Sequence, residues 1–176
     1  MNRIMDTGAI YAPISTEVSF MEETIFRHMK KVRGITEQQL SQIPEELADK
    51  VPVGFNNNMR WNFGHIALIQ EKLVYGVRNE KMEVPEAFFN FFGPRTKPAN
   101  WKGTPPSLTE IATVLSNQKK RIELSHSGLL EEELAVPFTN GMGLTFYTTG
   151  ETLLFSFYHE GRHLETIKRI DRALKA

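Results

Sequence analysis

The stretch Tyr158-His159-Glu160-Gly161-Arg162-His163 lies inside a long helix-like segment. Histidines four residues apart sit about 40° apart around a helix, so His159 and His163 can aim both rings at one point. A third histidine, His65, belongs to another helix-like segment about ninety residues upstream. The reading adopted is that these three imidazoles hold one divalent metal inside a helical bundle.

Periodicity predicts four long helices in one all-α domain over residues 1–176, with residues 1–14 as an N-terminal arm. The first is expected over 16–33, with Val18, Met21, Ile25, Met29 and Val32 as its apolar stripe and Gly34 as its terminator. Ser19 and Glu22 have capping-box spacing near its start. The second is expected over 58–75, after the cap candidates Asn56, Asn57 and Asn58. The third runs over 108–127 behind a Ser107/Glu110 capping box, with Ile111, Leu115, Gln118 and Ile122 on one face. The fourth runs over 150–174 behind Thr148/Glu151. Asn140-Gly141 and Gly143, next to Thr145-Phe146-Tyr147, carry hairpin signals.

About thirty residues, 77–106, separate the second helix from the third. A structureless loop of that length is unusual. It is explained if the two helices are parallel, so that the chain must travel the bundle's length to return. Phe88, Phe89, Phe91, Phe92 and Trp101 would pack this crossover on the bundle. Four amphipathic helices in one domain argue for a four-helix bundle, and the crossover argues against simple up-down-up-down order.

Thr152, Phe155, Ser156, His159, His163, Thr166 and Ile170 share a face of the fourth helix that reads as inward. On the second helix, His65 shares its face with Asn58, Trp61, Leu68 and Ile69. At about 1.5 Å per residue, His65 lies about 10 Å from the start of its helix and His163 about 16 Å before the end of the fourth. Antiparallel packing brings them to similar height. Buried neutral imidazoles need partners, and a metal satisfies three at once. Three histidine ligands leave a coordination position open, the pattern of catalytic sites. Asn58 and Trp61 are pocket candidates, and Glu160 is a proton-transfer candidate beside the first ligand. His28 reads as a core or rim residue, with a supporting role near the metal as its alternative. His126 is expected at the negative end of its own helix, and Arg162 at the surface or rim.

The string His159-Glu160-Gly161-Arg162-His163 also matches the H-E-x-x-H zinc-peptidase signature. The context argues against a peptidase. The extended pattern needs Gly at 166 and His at 169, where this chain has Thr166 and Arg169, and no edge strand for a peptide is evident.

Composition bounds the rest. Lys plus Arg and Asp plus Glu number 21 each, with no basic stripe, so no nucleic-acid partner is expected. The absence of cysteine excludes disulfides, thiolate-ligated metals and a cysteine nucleophile. No apolar run reaches the ~18 residues of a membrane span. A soluble cytoplasmic protein is expected.

Trp61-Asn62-Phe63-Gly64-His65-Ile66 on the second helix and His159-Glu160-Gly161-Arg162-His163 on the fourth resemble the DinB/YfiT-like superfamily of bacterial metalloproteins. The resemblance spans nearly the whole chain. It implies a four-helix bundle in up-down-down-up order, one divalent metal, usually zinc or nickel, on three histidines (His65, His159 and His163), and a homodimer. Many members follow the last histidine with a basic residue, Gly and Gln, whereas this chain has Leu164-Glu165-Thr166. The activities implied are transfer of a low-molecular-weight thiol such as bacillithiol to an electrophilic small-molecule substrate, metal-dependent hydrolysis by a bound hydroxide, or a non-catalytic, DNA-damage-inducible type of metal-binding protein.

Overall fold

A computed structural model of the chain describes residues 19–176; the expected N-terminal arm lies outside them. The described residues are mostly helical. They form α1 (Phe20–Ser41), α2 (Glu45–Ala48), α3 (Met59–Val74), α4 (Glu86–Phe92), α5 (Leu108–His126) and α6 (Thr149–Lys175). β1 (Glu133–Thr139) and β2 (Thr145–Thr148) pair as an antiparallel hairpin between α5 and α6. Pro137 lies where the ladder is irregular, between the pairs Glu133–Thr148 and Phe138–Phe146; it has no N–H to donate. Among the described residues no helix is long and apolar enough to cross a membrane.

Local chemistry sets the helix starts. Asn58 Oδ1 accepts from Trp61 N at 2.7 Å, and complete capping boxes open α5 at Ser107/Glu110 and α6 at Thr148/Glu151. At α1 only half of the expected box forms. Ser19 Oγ accepts from Glu22 N, but the buried Glu22 carboxylate accepts instead from Gly128 N and Leu130 N, both at 3.0 Å.

Two expectations for α1 are corrected. The helix passes through Gly34 to Ser41. A glycine costs about 1 kcal/mol in a helix, and burial of Thr36 and Leu40 on the face already begun by Met29 and Arg33 outweighs it. That buried face is Glu22, Phe26, Met29, Arg33, Thr36 and Leu40, whereas Met21 is exposed. The face carries three polar residues; of the apolar stripe read from sequence, Met29 is buried and Ile25 and Val32 pack half-buried on the interior, Met21 falls outside it, and Val18 lies outside the described residues. His28 is exposed, with its ring edge on Phe157. His126 is fully buried, its ring edge on Tyr75 and its Nε2 3.3 Å from Glu80.

Side-chain pairs give the helix directions. Asn62–His163 and Gln70–Ser156 run α3 against α6. Lys30–Glu123 and Lys119–Glu37 run α1 against α5. Gln118 reaches Ala67 O, and Tyr75 reaches Ser125, so α3 and α5 run together.

Two apolar clusters fill the interior. One holds Leu40, Phe63, Leu68, Ile111, Leu115, Ile167 and Ile170; the other holds Phe26, Met29, Val74, Ile122, Leu153 and Phe157. On each of the four long helices a polar residue falls between the two sets: Arg33, Gln70, Gln118 and Glu160, all at most 2 % exposed. Arg33 joins them. Its Nε and Nη2 donate to both Glu160 oxygens at 3.1 Å, Nη2 to Gln70 Oε1 at 2.6 Å, and Nη1 to Leu115 O and Gln118 Oε1 at 3.3 Å. All five guanidinium donors are used. Thr36 Oγ1 also donates to Glu160.

Removing one member of a buried ion pair strands the other charge, at a cost of about 3–5 kcal/mol. Arg33→Met and Glu160→Leu should each destabilise the protein by about that much. The double variant should lose less than their sum, as read from urea unfolding of all four forms.

Candidate metal centre

His65 sits in the second turn of α3, and His159 and His163 on consecutive turns of α6. Antiparallel packing of these helices brings the rings together, with centroids 5.2 Å (His65–His159), 4.9 Å (His65–His163) and 4.4 Å (His159–His163) apart. One ring nitrogen from each lies within 4.8 Å of the others. No other His, Asp or Glu joins this group among the described residues.

Two rings have their inner nitrogen engaged. His65 Nδ1 donates to the carbonyl of Phe92 at 2.6 Å. Asn62 Nδ2 donates to Asn58 O at 2.7 Å, which turns Asn62 Oδ1 toward His163 Nδ1 at 2.8 Å. Both histidines therefore carry their proton on Nδ1 and present Nε2 as a lone pair, as metal-ligating histidines do. Burial is the main cause that holds all three rings neutral. It pushes His65 down to about 4, reinforced by the Lys72 cation and opposed by the Phe92 carbonyl. His163 falls to about 3 and His159 to about 2, where burial is joined by the neighbouring histidines and Arg162. Three neutral imidazoles suit zinc, nickel, copper or iron, so the residues present fit a divalent metal.

The crossover positions His65. Trp61 stacks on the His65 ring at 4.3 Å and 16° and donates Nε1–H to Thr96 Oγ1 at 2.8 Å. α4 closes on α3 because residue 64 is glycine: a Cβ there would overlap the Phe92 ring. The Phe-rich segment thus packs on the helices as expected, and it also supplies the Phe92 carbonyl.

The other expected site residues lie elsewhere. Asn58 is fully buried, its side chain capping α3 and its amide facing Asp49; its own carbonyl orients Asn62. The expectation of a proton-transfer role for Glu160 is corrected, because its carboxylate points away from the rings into Arg33 and Thr36. Adjacent helix positions point about 100° apart, so a residue next to a ligand faces a different neighbour. Arg162 is exposed at the rim, as expected.

His159 and Arg162 also line a cavity of about 640 Å³. Its walls include Ile69, Leu73 and Val77, Met82, and Phe138 and Phe155. The hairpin supplies one side and is docked by Phe146 against Phe155 at 4.9 Å. A smaller recess of about 220 Å³ touches His159, His163 and Arg162.

Gly64→Ala should displace Phe92 and weaken metal affinity about 10–100-fold, the usual effect of losing a partner behind a ligand, as checked by competition with a chromophoric chelator. The metal-free protein should lose stability on acidification. Unfolded imidazoles protonate near 6.5, whereas these three stay neutral in the folded chain down to about 4, 3 and 2. Below about 6.5 the unfolded state therefore binds more protons, and stability falls as pH falls. Urea midpoints of EDTA-treated protein should drop between about pH 7.5 and 5, and replacing the three histidines by Gln should remove most of that slope.

A search of curated proteins returned no match. The family model described as DinB superfamily matches residues 28–167 and so covers all three histidines, the crossover and the hairpin. The chain belongs to the DinB superfamily.

Proposed function

We propose that His65, His159 and His163 together hold one divalent metal, zinc or nickel, and that the protein is a metal-dependent enzyme transferring a low-molecular-weight thiol to an electrophilic small molecule. The observation that carries this is the convergence of three neutral imidazoles, two with Nδ1 already engaged, beside a 640 Å³ cavity. We read the pairwise helix directions as an up-down-down-up four-helix bundle, and take the working form to be a cytoplasmic homodimer.

A divalent metal with an open position supplies Lewis acidity, which lowers the pKa of a thiol or water that reaches it. The chain's own residues do the rest. Phe92 O and Asn62 Oδ1 fix the rings of His65 and His163 in the tautomer that offers Nε2. Trp61 covers one face of His65. The walls of the space beside His159 are largely apolar, a setting that suits the apolar part of an organic thiol or electrophile better than water. The chain has no cysteine, so the sulfur must come from a cosubstrate, for which bacillithiol is the proposed type.

Purified protein should carry about one equivalent of metal by elemental analysis, as a three-histidine site predicts. His65→Ala, His159→Ala and His163→Ala should each lose most of it, and unchanged content in all three would sink the site. Metal-loaded protein should conjugate a chlorinated aromatic only when a thiol is supplied. Thiol-independent turnover would point to a hydrolase, and no turnover despite full metal would point to a binding protein.

A further inference from the structure

Two cations line the cavity beside His159 without a carboxylate to answer them. Lys72 and Arg162 both border it, and no Asp or Glu is among its lining residues. Neither joins an ion pair among the described residues. Lys72 Nζ lies 5.6 Å above the Phe89 ring. Arg162 stands 5.8 Å over Tyr158, with Nη1 3.9 Å from Met142 Sδ. Both therefore rest on soft, polarizable groups that leave their hydrogen-bond donors available. Elsewhere in the fold buried or half-buried cations are answered: Arg33 by Glu160, Arg60 by Asp49 and Glu45, Arg78 by Glu80 and Glu132, Arg121 by Glu71 and Glu83.

The remaining walls are overwhelmingly apolar, from Ile69, Leu73 and Val77 across to Phe138 and Phe155. A volume of about 640 Å³ is within the range of small-molecule sites. Apolar walls select an apolar body by area. Cations at their margin, in a partly desolvated site, select a negative head.

We propose that this cavity takes an amphiphilic organic anion, its aliphatic or aromatic body among the apolar walls and its carboxylate or similar head held by Lys72 and Arg162. This names the class of the electrophilic substrate, and it rests on the metal-centre reading only for which end of the molecule reacts. The head is anchored on the two cations, and the body lies against the apolar walls of Ile69, Leu73, Phe138 and Phe155.

The test is calorimetric binding of octanoate and of uncharged octan-1-ol to EDTA-treated and to zinc-loaded protein. Octanoate should bind both forms, and octan-1-ol should bind roughly a hundredfold more weakly, since it forfeits a charge-assisted hydrogen bond to each of the two cations. Lys72→Met and Arg162→Met should each weaken octanoate roughly tenfold and leave octan-1-ol unchanged, and Arg162→Lys should retain most of the affinity. Lys72 is half-buried and Arg162 exposed, and equal melting temperatures establish that the variants fold. Equal affinity for the two ligands, or no octanoate binding, would overturn the assignment. So would octanoate binding that vanishes with the metal and ignores both Met variants, since the head would then sit on the metal. If His163→Ala keeps both its metal and its octanoate selectivity, the metal-centre reading loses one of its ligands and the anion site stands. If wild-type protein loses the selectivity while its metal content holds, the anion site alone falls.

Discussion

One guanidinium ties the four long helices together. Arg33 of α1 donates to Glu160 of α6, Gln70 of α3 and both Gln118 and the Leu115 carbonyl of α5. A charge buried at 1 % exposure is tolerable only when its counter-charge and every donor are answered. Each partner is one particular residue on its helix, so a slip of α6 by a single turn would carry Glu160 about 5.4 Å away and leave the charge unanswered. The apolar clusters above and below supply most of the driving force, but they tolerate rearrangement better than a saturated hydrogen-bond set does.

The histidine geometry inherits that register. His159 and His163 flank Glu160 along α6, so the height fixed by Arg33 also sets where the two rings meet α3. From the other side, α3 is held by its Asn58 cap and by the contact of α4 that Gly64 admits. The site thus stands on long-range constraints of two kinds. One is an ion pair that sets the axial position of α6. The other is a close backbone approach that places a carbonyl behind His65.

Much of this was legible in the sequence, because the signals were periodic or local. The meeting of the three histidines, the capping boxes at Ser107 and Thr148, the buried face of α5 and the hairpin all follow from spacing and residue type. The misreadings share one cause. Arg33, Thr36 and Glu22 look like solvent-facing residues until their partners on other helices are known, so the sequence stripe holds Met29 and the half-buried Ile25 and Val32 but replaces the polar part of the buried face with the exposed Met21. Gly34 looked like a stop because its neighbours' tertiary contacts are invisible in a local window. The Phe92 carbonyl carries no side-chain signature at all. Gly64 could have been suspected, since a glycine inside a well-formed helix implies close packing, but the packing partner could not be named. Glu160 is a candidate in the sequence only because it adjoins His159, whereas the helix splits the H-E-x-x-H string between the histidine side and the Arg33 side.

The hairpin between α5 and α6 has a different status from the helices. Its tip contributes cavity wall from Phe138 to Met142, yet it supplies none of the three histidines and none of the partners of Arg33. A contiguous run of about fifteen residues can therefore be lengthened, shortened or recomposed while the framework and the three imidazoles stay in place. The cavity therefore has one wall free to vary and one that is not: the hairpin side can be recomposed, whereas Ile69, Lys72, Leu73, Phe155 and Arg162 sit on helices whose spacing the buried guanidinium fixes.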